Sequence, residues 1–205
     1  MNGVIHRYER VFQRSTFARF GAVGLLIVYG TLISTIALSP TFQWTGSALS
    51  DLGAVGADRS WLFNGGLIVG GAFLSLFAFG VFSNSEHWGK QVGSVLLTLA
   101  YVLSVFVGLF PYPQPQHTPI ALAQFVLIPV GLLTFGVESV LRGASGLGGI
   151  ALALGTIAVA GNLWLFSVVS AGSEAIALPE FAVVFPLDSW AMVMVWRQYH
   201  GKSAQ

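Results

Sequence analysis

Apolar residues run for about twenty positions at a time, six times along the chain. The runs fall at about 17–38, 61–82, 91–110, 118–138, 147–169 and 177–197, separated by short polar or Gly- and Pro-bearing stretches. A helix rises about 1.5 Å per residue, so each run is long enough for a hydrocarbon core of about 30 Å. The pattern predicts an all-α fold: a polytopic integral membrane bundle of six transmembrane helices, one membrane domain over residues 1–205. Short connections make successive helices antiparallel neighbours. The first run, about Phe17 to Leu38, exceeds the 7–15 apolar residues of a signal-peptide core and is expected to be an uncleaved span.

Composition sharpens this. Charged residues make up 8% of the 205, against about 25% in soluble domains. With 25 glycines and 55% hydrophobic residues, close helix packing through small side chains replaces a water-excluding core. The absence of cysteine excludes disulfides, thiolate metal sites and Cys nucleophiles. A formal net charge of +1 excludes nucleic acid as a sensible partner.

Arg7, Arg10, Arg14, Arg19, Lys90, Arg142, Arg197 and Lys202 all fall on one side of this topology, and only Arg59 falls on the other. The positive-inside rule then sets both termini in the cytoplasm of a cell-membrane protein. Within residues 1–16, Val4, Ile5, Tyr8, Val11 and Phe12 recur at helical spacing among arginines. Two readings stay open: an amphipathic helix in the inner interface, or a basic flank that only sets topology. Small residues form faces on two spans, Asn64-Gly71-Ser75-Ala78 with the Gly66/Gly70 pair, and Gly148-Gly155-Asn162. They suit helix contact with asparagine as interhelical glue; the alternative is that they border a polar cavity.

The remaining polar residues gather in the outer half. The first external loop, Gln43 to Gly53, is half apolar and carries Asp51 among small residues, a composition suited to folding back against helix ends. Asp51 either accepts local N–H groups as a turn or cap, or reaches a ligand. Asp58 is expected to cap the second span, and Trp44 and Trp61 suit the interfacial aromatic belt. The second loop, Phe110 to Pro119, is uncharged and proline-rich, with His117 at its end, Thr118 as an expected N-cap and Pro119 at the first helical position. Glu180 opens the sixth span, where the helix dipole favours a carboxylate. Asp188 is different. It lies about 12 Å inside from Trp196, where an unpaired carboxyl costs at least about 2.5–3.5 kcal/mol. Pro186 frees a backbone carbonyl that could bond it, and Glu180 shares nearly the same helix face. The candidate outer polar site is therefore Ser47, Ser50, Asp51, Asn64, His117, Asn162 and Glu180, with Asp188 as a candidate intramembrane proton site.

Ser47-Ala-Leu-Ser50-Asp51-Leu-Gly53, then Leu62-Phe63-Asn64-Gly65-Gly66, Gly108-Leu109-Phe110-Pro111 and His117, resemble domain-of-unknown-function family 998, six-helix membrane proteins of archaea and bacteria. Pro179-Glu180, Ser189-Trp190 and Arg197 fit its sixth helix, so the resemblance spans nearly the whole chain. It implies the fold and marks Ser50, Asp51, Asn64, His117 and Glu180; it implies no activity. Gln114 and Gln116 stand where members often carry an acidic residue, and Asp188 matches no motif of the family.

Three functions follow from these residues. The favoured one is binding or transport of a small or amphipathic solute at a site facing the extracellular side, with Asp188 coupling protons. The second is an intramembrane, hydrolase-like enzyme acting on lipid at the outer interface, with Asp51 or Glu180 as base, His117 as acid or metal ligand, and Ser50 as nucleophile. His6, His87 and His200 fall on the cytoplasmic side, so a three-histidine zinc site is not expected. The third is an accessory or structural subunit. No cofactor or resident metal is expected; partners are membrane lipids, with a second copy or a partner membrane protein left open.

Overall fold

The computed structural model describes residues 2–200, with side chains from residue 15 onward. It contains six α-helices: α1 (Asn2–Ala37), α2 (Ser60–Ser83), α3 (Trp88–Leu109), α4 (His117–Leu141), α5 (Ser145–Ser170) and α6 (Ala177–His200). A 3₁₀ turn, η1 (Leu49–Gly53), sits between α1 and α2. Among the described residues there is no strand. Each helix contains a segment long and apolar enough to cross a membrane, that of α1 being Ser15–Ala37. The backbone of α1 is helical without a break from Asn2. The side chains of the expected amphipathic segment 1–16 lie mostly outside the described residues.

Successive helices pack on one another, and α6 closes the bundle by packing on α1 and α4 as well as α5. Trp190 of α6 is fully buried, with its ring 5.5 Å from Phe135 and 6.1 Å from Phe77. Between lipid-soluble helices no hydrophobic driving force favours association, so close approach must supply the attraction. Glycines allow it here. A Cβ on Gly24 of α1 would stand 3.0 Å from the Gly70 carbonyl of α2, and one on Gly93 of α3 would stand 2.7 Å from the Phe135 amide of α4. Gly148 and Gly155 of α5 face Val140 and Leu133 of α4. The seven-residue repeat Gly148-Gly155-Asn162 is thus the seam between α5 and α4, not the border of a cavity.

Asn162 completes that seam for a specific reason. Pro129 inside α4 has no N–H, which leaves the Phe125 carbonyl without its helical donor. Asn162 Nδ2 donates to that carbonyl at 3.0 Å. Replacing Asn162 by Ala is expected to cost about 0.6 kcal/mol, and at most about 1.7, as interhelical hydrogen bonds in membranes do. In a Pro129→Ala background the new Ala N–H satisfies Phe125, and the cost should largely vanish. An equal loss in both backgrounds, measured by detergent unfolding, would show that the proline is irrelevant to this bond.

Two helix starts differ from expectation. Arg59, in left-handed conformation at φ 58°, and not Asp58, holds the N-cap position of α2. Its Nη1 donates to the Leu38 carbonyl at 3.1 Å, giving the exposed end of α1 a cation where the dipole favours one. Helix α4 begins at His117, one residue before the expected Thr118 cap. Pro119 then falls in the first turn, where a missing N–H costs nothing.

Candidate functional site

The loop between α1 and α2 folds back on the helix ends through η1. A 3₁₀ helix has three residues per turn, so Leu49 and Leu52 share a face. Both are buried, against Leu32, Ile36, Phe63 and Phe181 among others. Asp51 Oδ2 accepts the Ala48 N–H at 2.8 Å, and this carboxylate caps its own turn. Ala48 at the N-cap has no side-chain oxygen to offer the next amide, and Glu180 supplies one from α6: its Oε2 accepts the Leu49 N–H at 2.6 Å. The Ala177 N–H donates to the Ser47 carbonyl at 2.8 Å, so two bonds stitch the loop to the first turn of α6. At its far end Asn64 Nδ2 donates to the Gly53 carbonyl at 2.8 Å. A Cβ on Gly53 would collide with the Asn64 amide oxygen, so a larger residue there would displace Asn64 from its bond.

Beneath η1 lies a cavity of about 110 Å³, room for several waters. Helices α1, α2, α3, α4 and α6 contribute to its wall; the described α5 residues do not. Ser50, His117 and Glu180 line the end next to η1, and Asp188 lines the deep end. His117 is buried, and its Nδ1 stands 2.9 Å from the Phe110 carbonyl. A carbonyl can only accept, so Nδ1 carries a proton. At the deep end Tyr101 Oη lies 3.2 Å from both Asp188 Oδ1 and the Leu187 carbonyl, to which it donates. Tyr29 Oη is buried beside the same carboxyl, with which it interacts without forming a well-aligned hydrogen bond. The carbonyl freed by Pro186, that of Ala182, lies against Gly161 of α5 and is not the partner of Asp188. Gln124 Nε2 donates to Ser104 Oγ at 2.6 Å midway along the wall.

The expected outer polar site therefore divides. Ser50, His117 and Glu180 share the cavity with Asp188. Ser47 and Asp51 line a separate surface pocket of about 280 Å³ with Ser39, Thr41 and Asp58. Asn64 and Asn162 are spent on backbone carbonyls, of Gly53 and Phe125. Asp51, His117 and Glu180 do not form a metal-binding triad: among the described residues no group of three or more His, Asp or Glu is arranged to hold a metal ion. Sequence reasoning missed Tyr29, Tyr101, Ser104 and Gln124. Polar side chains in the middle of apolar spans were the available signal, Gln124 and Tyr101 above all.

The wall carries two carboxyls and, among its lining residues, no lysine or arginine. Apart from the hydroxyls, the amide and His117, it is aliphatic and aromatic, so it offers a few fixed polar points on an apolar surface. That is the usual constitution of a small-molecule site. The sequence matches, over residues 22–197, the model of a family described as a protein of unknown function (DUF998). No curated protein and no solved structure matches the chain.

Proposed function

We propose that this chain, which belongs to the DUF998 family, binds a small or amphipathic solute in the cavity beneath η1. One observation carries the reading: Asp188, buried deep in a six-helix membrane bundle, opens onto that cavity and, among the described residues, not into a salt bridge. An intramembrane carboxyl is expensive and is best explained by a job at a polar pathway. Arg19, Lys90, Arg142 and Arg197 all belong to the end opposite η1, which supports an outward-facing η1 and cytoplasmic termini. Transport would then require η1 to move, with Asp188 as the coupling carboxyl.

A hydrolytic reading has less support. Ser50, His117 and Glu180 share a wall, but Glu180 is committed to the Leu49 amide and His117 Nδ1 to the Phe110 carbonyl. A Ser50–His117 hydrogen bond, which nucleophile activation needs, is not among those formed by the described residues.

Native mass spectrometry from mild detergent tests the solute reading. Wild type and Asp51→Asn, whose change lies in the other pocket, should both carry a bound small molecule. Ala121→Phe, which pushes a ring into the cavity from α4, should lose it. Bare protein in all three variants would sink the proposal and favour a structural or accessory role.

A further inference from the structure

We infer that the solute is a small organic cation, a protonated amine with a short apolar tail, whose ammonium group sits against Asp188 between Tyr29 and Tyr101. This rests on the cavity being a solute site. The charge balance of the wall is the first argument. Of its two carboxyls, Glu180 already holds the Leu49 amide, while Asp188 faces only the neutral hydroxyls of Tyr101 and Tyr29. A carboxylate in a low-dielectric interior is stable only with a cation or several donors around it. Among the described residues no lysine or arginine lines the cavity to supply the charge.

The second argument is the Tyr29 hydroxyl, buried beside the same carboxyl but with no well-formed hydrogen bond among the described residues. Buried polar atoms are nearly always satisfied, and one left open beside a cavity points to something that enters it. An ammonium group has three N–H donors and no acceptor. The Asp188 carboxylate and the two phenol oxygens offer it acceptors only an oxygen-seeking donor can use. A calcium or magnesium ion fits worse, because it requires about six to eight oxygen ligands, while most of this wall is hydrocarbon and no group of three or more His, Asp or Glu among the described residues is arranged to hold a metal. The cavity volume of about 110 Å³ limits the tail to a few carbons.

The test titrates the full chain in detergent with n-butylammonium, n-butanol and butyrate, which share a chain length and differ in charge. Wild type should bind n-butylammonium saturably and at least tenfold more tightly than the other two. Asp188→Asn should abolish that preference. Tyr29→Phe should weaken n-butylammonium three- to tenfold and change unliganded unfolding little, because its hydroxyl has no well-formed bond to lose; this variant decides the matter even where Asp188→Asn does not fold. A preference for the amine that survives in the folded variants overturns the assignment. So does wild type that binds n-butanol or butyrate as tightly as the amine, and in that case the cavity remains a solute site. Wild type that binds none of the three overturns both readings together.

Discussion

Replacing Glu180 by alanine should free the 3₁₀ turn from the bundle, with amide hydrogen exchange at Leu49 and Ser50 faster by roughly ten- to a hundredfold. The magnitude follows from the bond that is lost. Glu180 is 9% exposed, and its carboxyl accepts the Leu49 N–H at 2.6 Å. Hydrogen bonds to charged groups contribute about 1.5–3 kcal/mol, and each 1.4 kcal/mol is about a factor of ten in an equilibrium. Ala48 offers no replacement oxygen. The Asp51 bond to Ala48 is local and should persist, as should the amides of α6 beyond its first turn. Glu180→Gln retains an acceptor oxygen and should fall between wild type and alanine. Unchanged exchange at Leu49 in the alanine variant would mean that Leu49 and Leu52 hold the turn by packing alone.

The second large effect is expected at Gly93. A Cβ there would stand 2.7 Å from the Phe135 amide nitrogen and 2.9 Å from its Cα. Neither atom belongs to a flexible side chain, so α3 and α4 must separate. Overpacking of this kind costs about 1–3 kcal/mol, occasionally more. Gly30 of α1 is the natural control, with nothing within 4 Å of its own added Cβ. There alanine brings only its better helix propensity, worth up to about 1 kcal/mol. Gly30→Ala should therefore be neutral or slightly stabilising, while Gly93→Ala unfolds at clearly lower denaturant and Gly93→Leu accumulates poorly. Equal behaviour of the two alanine variants would show that α3 and α4 are not locked at this point.

The six helices were legible because the cost of exposing backbone to hydrocarbon leaves few alternatives to a helix, so long apolar runs carry nearly the whole signal. The fold-back of the η1 segment was also visible, in leucines placed among small residues where a solvated loop would be polar. The site was read less well, for a physical reason. Charges stand out in an apolar chain; phenols, hydroxyls and amides do not, and many hydroxyls in such helices simply bond a carbonyl one turn back, as Thr31 and Thr35 do. Which of them meet in one cavity depends on the rotation of each helix about its axis. Asn64 and Asn162 were grouped with His117 because they share a level in the membrane; their rotations send them to backbone carbonyls instead. The trans partnership of Glu180 with Leu49 joins residues 131 apart in sequence, a distance no local pattern spans.

That partnership also constrains how the protein is made. Residues 47–53 leave the ribosome long before α6 does, yet the carboxyl that accepts the Leu49 N–H and the N–H that reaches the Ser47 carbonyl belong to α6. Until α6 joins the bundle, the Leu49 amide and the Ser47 carbonyl have only water or translocon surfaces to bond. The segment that covers the cavity is thus an early product of translation and a late product of assembly, and a nascent chain stalled before Ala177 would present an uncovered chamber to the membrane insertion machinery.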